Sequence, residues 1–284
     1  MHLKINTIYS IIEKQFPEYK NLIIKKVRLS GHDNQTFHLG NDFSLRFPSH
    51  FNYSTQVIKE HTFCKELQKN IPIQITHPIA LGQPSDLFPY HFSINRWIEG
   101  EVVTHTNIDD KSLFAHDLAC FLISLHQCDS KNGTTPGLHN FYRGGDLSIY
   151  HDETLKAIDN QNLFNKSKCL EYWLLGVNSR FNKEPVWIHG DVAVGNLLVR
   201  NGKLSAVIDF GNIAVGDPAC DYVMAWTYFD HVSRLVFIRS LGLDKETIHR
   251  ARAWALWKAL ISLNDSTHKE DAIYTLNEIF KEDV

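Results

Sequence analysis

The segment 187–221 places three polar side chains at a spacing suited to moving a charged group. Asp191 stands five positions before Asn196, and Asp209 follows Asn196 by thirteen positions. Phosphoryl transfer needs a carboxylate that faces the accepting hydroxyl, and further oxygen ligands that hold Mg²⁺ against the nucleotide phosphates. We therefore expect Asp191 to orient the acceptor hydroxyl and accept its proton, and Asn196 and Asp209 to bind Mg²⁺.

Two short motifs contain these residues, with apolar, strand-like runs on either side. The first motif begins with His189-Gly190-Asp191, and the second is Asp209-Phe210-Gly211. Each motif alone is a weak signal, because either sequence also fits an ordinary turn. The two together, at this spacing, match the catalytic loop and the metal-binding loop of kinases. Two unrelated turns are the alternative interpretation.

From residue 187 to about residue 228 the chain resembles the aminoglycoside phosphotransferase family, whose members are related to the eukaryotic protein kinases. That family has His-Gly-Asp in its catalytic loop, and the segment 216–221, Gly-Asp-Pro-Ala-Cys-Asp, is also similar to it. The resemblance implies an α+β, bilobal protein-kinase-like fold, with an antiparallel sheet and a helix in the N-lobe and a mainly helical C-lobe. It also implies ATP or GTP as co-substrate and a small-molecule hydroxyl as acceptor, with an antibiotic such as an aminoglycoside or macrolide as the leading class.

Further residues of this segment are expected to support the loop. By the resemblance, Asp221 braces the catalytic loop and begins a helix, while Asp217 either supports the loop or reaches the acceptor. His189 is expected to hold the loop rather than to react. Gly190 and Gly195 are expected to permit tight backbone turns.

The size and composition of the chain limit its class. The 284 residues are 43% hydrophobic, enough for a substantial core in one domain or two lobes. Five cysteines without a Cys-x-x-Cys spacing argue against a disulfide framework or a zinc site. We expect a cytoplasmic protein, because there is no signal-peptide core and no run as long as a membrane span. Neither membrane nor nucleic acid is expected as a partner, and the sequence does not distinguish a monomer from a dimer.

The charge is uneven along the chain. Residues 1–94 carry ten Lys/Arg and seven Asp/Glu, and the remaining residues carry 19 and 25. A basic N-terminal part suits phosphate binding, and an acidic C-terminal part suits a cationic acceptor. Scatter over a solvated surface is an equally good explanation.

A helix and three strands are predicted in the first fifty residues. Apolar residues at helical spacing predict an amphipathic helix over residues 6–16. Strands are predicted over residues 22–29, 35–39 and 43–47. The turn 30–34 would cover the nucleotide phosphates with backbone N–H groups, which makes Ser30, Gly31 and Asn34 candidate nucleotide ligands. An ordinary hairpin turn is the alternative, because this turn has a single glycine.

Arg46 lies on the third strand, where the kinase fold normally has a lysine that contacts the α- and β-phosphates. The helix predicted over residues 55–69 supplies its partner. Alignment of the segment 71–73 with the family's Leu-Pro-Val selects Glu60, with Glu66 as the alternative. Arginine keeps the charge but differs from lysine in geometry, and a surface arginine on an edge strand is the competing interpretation.

Residues 91–100 are similar to the family's hinge between the lobes, a strand that ends in Trp-x-x-Gly. We expect backbone groups of about residues 95–98, including Asn95, Trp97 and Ile98, to bind the nucleotide base. This hinge, near residues 94–98, divides the chain into a nucleotide-binding lobe (1–97) and a catalytic and acceptor-binding lobe (98–284).

The C-lobe is predicted to be mainly helical. Helices are expected over residues 109–128, 152–161, 168–180, 219–229, 246–263 and 271–280. The aromatic stretch 253–257 is expected in the core rather than as a stacking platform for bases. Glu278, Glu282 and Asp283 are candidates for contact with a polyamine acceptor, and a solvated tail is the alternative.

Two other functions fit the same residues. One is a metabolic kinase for choline, ethanolamine, homoserine or a sugar. The other is a catalytically inactive nucleotide-binding regulator, for which Arg46 in place of lysine is the main support. Protein kinase activity is disfavoured, because no Ala-Pro-Glu segment follows Asp209.

Overall fold

The computed structural model describes residues 3–27 and 33–281. Its N-terminal part contains a five-stranded sheet in which all paired strands are antiparallel. The strands are, in spatial order, β1 (Ile24–Lys26), β2 (Asn34–Leu39), β3 (Phe43–Pro48), β6 (Phe92–Arg96) and β5 (Pro78–Gly82). Helix α1 (Ile5–Gln15) buries Ile8, Ile11 and Ile12 in the same apolar cluster as the inner face of this sheet.

The register of the sheet places Arg46 at its centre. Arg46 is paired with Thr36 of β2 on one side and with Ser93 of β6 on the other. The interpretation of Arg46 as a surface residue on an edge strand is therefore wrong. Residues 30–32, which belong to the predicted phosphate turn, lie outside the described residues.

Helix α2 (Phe51–Leu67) follows β3 and begins four residues earlier than the sequence predicted. The side chain of His50 accepts a hydrogen bond from the Asn52 N–H (3.3 Å), which caps the first turn. The buried face of α2 includes Gln56, Lys59 and Glu60. These polar residues weaken the apolar periodicity from which the start of a helix is predicted.

The catalytic motifs lie on a second, four-stranded sheet and a two-stranded ribbon. The sheet consists of β4 (Gln74–Ile75), β10 (Lys203–Val207), β9 (Leu197–Arg200) and β7 (Glu101–Val102), and the ribbon pairs β11 (Ala214–Gly216) with β8 (Val186–Ile188). Asp191 and Asn196 lie between β8 and β9, and Asp209 lies between β10 and β11. The three polar residues are thus held on loops between short, buried strands.

The remaining elements form the helical lobe. They are α3 (Lys111–His126), α4 (His151–Asn160), α5 (Lys166–Asn178), α6 (Met224–Thr227), α7 (His231–Leu241), α8 (Lys245–Ser262) and α9 (Lys269–Phe280). Within the described residues, no helix has the length and apolar character needed to cross a membrane.

Two features of this lobe differ from the sequence prediction. The helix expected over 219–229 is a 3-10 helix, Pro218–Tyr222, followed by the single turn of α6. Helix α7 was not predicted, because Ser233 and Arg234 share its buried face with Phe237 and interrupt the apolar stripe.

The apolar interior is divided into two clusters. The smaller one lies between α1 and the five-stranded sheet, and the larger one fills the helical lobe. Leu67, Ile71 and Ile75, which precede the hinge in sequence, belong to the larger cluster. The α+β, bilobal arrangement is the one predicted, with the end of α2 and β4 packed on the C-lobe.

Candidate active site

The loop that carries Asp191 is held from behind by a buried carboxylate. Asp221 accepts hydrogen bonds from the backbone N–H groups of His189 (2.6 Å) and Gly190 (2.7 Å). Burial raises the pKa of Asp221 to about 6, against the opposing effects of His189 and these two N–H donors. Asp221 therefore braces the loop, although it lies inside the 3-10 helix and does not begin it.

His189 ties the first motif to the second. Its Nε2 lies 3.0 Å from the carbonyl oxygen of Ile208, and its Nδ1 accepts from the Asp191 N–H at 3.2 Å. These contacts place the proton on Nε2 of a neutral imidazole. His189 is fully buried and packs against the Phe210 ring (4.6 Å between centroids), so it holds the loop and does not line the cleft.

Asp191 is exposed in the cleft and lies next to Asn196. The Asn196 amide nitrogen donates to the Asp191 carbonyl oxygen (2.9 Å) and to its carboxylate Oδ2 (3.1 Å). These bonds use the amide N–H groups, so the Asn196 amide oxygen remains the group with lone pairs for a cation. The Ile208 N–H donates to the Asn196 carbonyl oxygen (2.9 Å), which brings Asn196 close to the loop of Asp209.

Asp209 adopts a left-handed conformation, with φ of 65°. Its N–H donates to the Thr76 hydroxyl oxygen at 2.9 Å. Burial opposes ionisation of this carboxylate, but Arg46 overcomes that effect and lowers the pKa of Asp209 below its ordinary value. Asn196 and Asp209 therefore offer an amide oxygen and an ionised carboxylate, a donor set that fits Mg²⁺.

Arg46 joins the two lobes electrostatically. Its Nη1 lies 2.8 Å from Glu60 Oε1 and 2.9 Å from Oε2, and its Nη2 lies 2.8 Å from Asp209 Oδ2. Burial alone would lower the pKa of Arg46, but the two carboxylates raise it, so the guanidinium stays charged. The structure thus brings Arg46 and Glu60 together, whereas the alternative partner, Glu66, is exposed and pairs with Lys69.

The predicted base-binding residues lie at the other end of the same cleft. Asn95, Trp97 and Ile98 line it, as does Asn34 of the predicted phosphate turn. The Trp97 ring packs on His38, with 4.0 Å between the ring centroids. The buried Asn95 side chain donates to the Ser93 hydroxyl at 3.2 Å. Ser30 and Gly31 lie outside the described residues.

Asp217 does not reach the cleft. One carboxylate oxygen caps the 3-10 helix at the Ala219 N–H (3.1 Å), and the other lies 2.7 Å from Arg250 Nε. Asp217 is buried among C-lobe elements, so the option that it contacts the acceptor is wrong. Gly195 also differs from expectation, because it has no left-handed φ, whereas Gly190 has φ of 80°.

The far end of the cleft was not predicted from the sequence. The cleft has a volume of about 1460 Å³ and continues past Asp191 between the C-lobe helices. Arg143, Trp254, Lys258 and Asp271 line this end. Trp254 is fully buried, as the core interpretation of 253–257 requires, but it also forms part of the cleft wall.

The carboxylate of Glu278 does not face the cleft. It is buried and forms ion pairs with Arg234 and Lys281. Its expected contact with a polyamine is therefore wrong. Glu282 and Asp283 lie outside the described residues.

Comparison with known proteins identifies related sequences and structures. A family model described as "Phosphotransferase enzyme family" matches residues 25–257. The GDP complex of wild-type aminoglycoside 2′-phosphotransferase-IIIa is 19% identical with a TM-score of 0.75, over 99% of this chain and 100% of that chain.

Two further solved structures are similar over nearly the whole chain. The streptomycin–ATP ternary complex of APH(2″)-IIa is 19% identical with a TM-score of 0.60, over 99% of this chain and 97% of that chain. Macrolide 2′-phosphotransferase type I is 15% identical with a TM-score of 0.65, over 99% and 98%. These likenesses confirm the bilobal kinase-like fold.

Proposed function

This chain belongs to the phosphotransferase enzyme family, and from that premise we propose that it transfers the γ-phosphate of ATP or GTP to a hydroxyl group of a small molecule. The observation that carries this proposal is the convergence of Asp191, Asn196, Asp209 and Arg46 on one cleft. An acceptor that fills the C-lobe end of this cleft has its hydroxyl beside Asp191.

In the proposed reaction, Asp191 orients the acceptor hydroxyl and takes its proton. The hydroxyl oxygen forms a new bond to the γ-phosphorus, while the bond from that phosphorus to the bridging β-phosphate oxygen breaks. The nucleoside diphosphate leaves with the bond electrons, and the proton on Asp191 later passes to solvent. His189 and Asp221 contribute by keeping the Asp191 loop in place.

We assign the nucleotide contacts to both lobes. Arg46, held by Glu60, binds phosphate oxygens, and Asn196 with Asp209 would hold Mg²⁺. The ion would neutralise charge on the phosphates when bound. The base lies against Asn95, Trp97 and Ile98, and Asn34 contacts the phosphates. We propose the division at the hinge into residues 1–97 and 98–284 on the same grounds.

The acceptor class proposed from the similar structures is an antibiotic, because those proteins include aminoglycoside and macrolide phosphotransferases. A metabolic hydroxy compound is the second candidate. One observation favours it, since the acceptor end of the cleft carries the cations Arg143 and Lys258. An inactive regulator is disfavoured, because the three polar residues of the reaction centre share the cleft.

Acceptor profiling tests the proposed function. Purified protein is incubated with Mg²⁺ and either ATP or GTP, together with aminoglycosides, macrolides or metabolic alcohols and hydroxy acids. We expect nucleotide consumption that depends on one acceptor class, with a phosphorylated product identified by mass spectrometry. Nucleotide binding without acceptor-dependent consumption would contradict the proposal and support the regulator.

A further inference from the structure

The C-lobe walls of the cleft carry charged residues of both signs. Within the described part of the chain, the basic ones are Arg143 and Lys258, and the acidic ones are Glu101, Asp191, Asp209 and Asp271. Arg143 lies in the loop before α4, Lys258 on α8, and Asp271 in the first turn of α9. Two cations therefore lie beside carboxylates on the surface that an acceptor would contact.

Arg143 is held in place by aromatic rings. Its guanidinium carbon lies 4.8 Å from the centroid of Trp257 and 5.5 Å from that of Trp254. Trp257 is itself fixed, because its Nε1 donates to Glu153 at 2.7 Å. Among residues 3–27 and 33–281, no carboxylate lies within 4 Å of the Arg143 guanidinium. Its N–H donors are thus positioned on a rigid platform without an anionic partner.

Lys258 is a second cation without an ion-pair partner in the described structure. It is exposed to the cleft, but partial desolvation and the like charge of Arg143 lower its pKa, while Asp191, Glu153 and Asp265 act in the opposite direction. Lys258 therefore lies within electrostatic range of both Arg143 and Asp191. Glu153, the nearby carboxylate, is already bonded to Trp257.

The buried wall between these cations also has an unused donor. Trp254 is fully buried and lines the cleft, and its indole Nε1–H has no hydrogen-bond acceptor in the described part of the chain. Two cations and an indole N–H are all donors, and none of them is an acceptor. This donor set is suited to oxygen atoms of an anion and is unfavourable for ammonium groups.

We infer that the acceptor carries an anionic group, a carboxylate or a phosphate, which Arg143 and Lys258 bind while the acceptor hydroxyl faces Asp191. The inference rests on the proposed phosphate transfer and identifies the chemical class of the acceptor. It assigns hydroxy acids and phosphorylated alcohols to this site and disfavours polyamine aminoglycosides, which would place like charges against Arg143 and Lys258.

The test measures binding and does not depend on turnover. Full-length protein is saturated with Mg²⁺ and a non-hydrolysable ATP analogue, so that the nucleotide site is occupied. Calorimetry then measures the affinity for D-glycerate, sn-glycerol 3-phosphate, uncharged glycerol and the polycation kanamycin. We expect at least one of the two anions to bind about tenfold or more tightly than glycerol, and to bind more tightly than kanamycin. The two anions distinguish a carboxylate site from a phosphate site.

Variants connect the binding to the two cations. Lys258→Gln and Arg143→Gln are each expected to weaken anion binding about tenfold, whereas Arg143→Lys, which keeps the charge, is expected to retain part of it. Lys245→Gln is the matched control, because Lys245 is exposed on the same helix but does not line the cleft. Thermal unfolding of each variant verifies that the fold is kept.

Three results would overturn the inference. The first is anion binding no tighter than that of glycerol. The second is kanamycin binding more tightly than both anions. The third is a loss of affinity for the nucleotide analogue in Lys258→Gln as large as the loss for the anion, since the cations would then serve the γ-phosphate. Failure of the proposed phosphate transfer is recognised separately, by nucleotide binding without any acceptor-dependent nucleotide consumption.

Discussion

Arg46 shows how far residue types alone predict a site. Its contact with Glu60 follows from the strand position and from the alignment of the segment after α2. Its second contact, with Asp209, depends on how the two lobes meet, which the local sequence does not contain. The same is true of Arg143 and Lys258, because neither belongs to a motif and their proximity arises from the packing of a loop against α8.

The two ion pairs of Arg46 lead to a prediction for nucleotide use. In Arg46→Lys the lysine keeps the positive charge, but its ammonium group cannot bind two carboxylates and a phosphate at the same time. We therefore expect reduced but measurable turnover. Arg46→Ala should raise the KM for the nucleotide at least tenfold, because the phosphates lose a cationic donor and the buried Glu60 loses its ion-pair partner. Steady-state kinetics over a range of nucleotide concentrations measures both effects.

Arg200→Ala is the control for this prediction, since Arg200 is exposed on β9 and does not line the cleft. If both Arg46 variants had the same kinetic constants as Arg200→Ala, Arg46 would have no role in nucleotide binding.

The two glycines of the catalytic loop are expected to respond differently to substitution. At Gly190 a Cβ would approach the Asn212 carbonyl oxygen to 2.5 Å, and φ is 80°, so Gly190→Ala should destabilise the fold by about 1–2 kcal/mol or more. At Gly195 a Cβ would meet no atom within 4 Å, so Gly195→Ala should stay within about 0.5 kcal/mol of the parent. Urea unfolding measures the difference, and equal losses would contradict this account of the loop.

At the scale of elements, the sequence predicted those whose buried face is mainly apolar. The three antiparallel strands of the N-lobe and helices α1, α3, α5 and α8 appear close to their expected bounds. The two failures have the same physical cause. The predicted start of α2 was too late and α7 was missed, because polar side chains occupy part of the buried face of each helix. The segment Pro218–Tyr222 was predicted as part of an α-helix but forms a 3-10 helix. Local helix propensity does not include the contact of Asp221 with the catalytic loop.

Helix α8, which carries Lys258, depends on a charged cap. Asp244 accepts from the Thr247 N–H (2.7 Å) and pairs with Lys183 (2.6 Å). The Lys183 hydrogen bond first, and then that of Thr247, hold the pKa of Asp244 well below its ordinary value of 3.8. Because the pKa of Asp244 is lower in the folded than in the unfolded state, the ionised carboxylate stabilises the fold above pH 3.8. This contribution is lost as the pH falls below that value.

We therefore expect Asp244→Ala to lower the free energy of unfolding at pH 7 by about 1 kcal/mol, mostly from the lost cap because the ion pair is exposed. The loss should shrink as the pH falls below 3.8. Urea unfolding at several pH values measures this. Asp86→Ala, at an exposed loop position, is the control, and a loss independent of pH would contradict the assignment.

At the scale of the whole molecule, the bilobal architecture was predictable, but the distribution of its core was not. The resemblance around the catalytic motifs implied two lobes joined by a hinge. The packing of Leu67, Ile71 and Ile75 into the C-lobe core means that α2 connects both lobes. Because α2 also carries Glu60, the position of this helix couples Arg46 to the C-lobe.

The central claim is that Asp191 receives the proton of the acceptor hydroxyl within an intact nucleotide site. The most direct measurement compares Asp191→Ala with the parent and with Asp159→Ala, an exposed aspartate at the end of α4. Acceptor-dependent phosphorylation should fall by a factor of about 10² to 10⁴ in Asp191→Ala, while the affinity for the Mg²⁺–nucleotide complex stays close to that of the parent. Near-parental phosphorylation by Asp191→Ala would contradict the account.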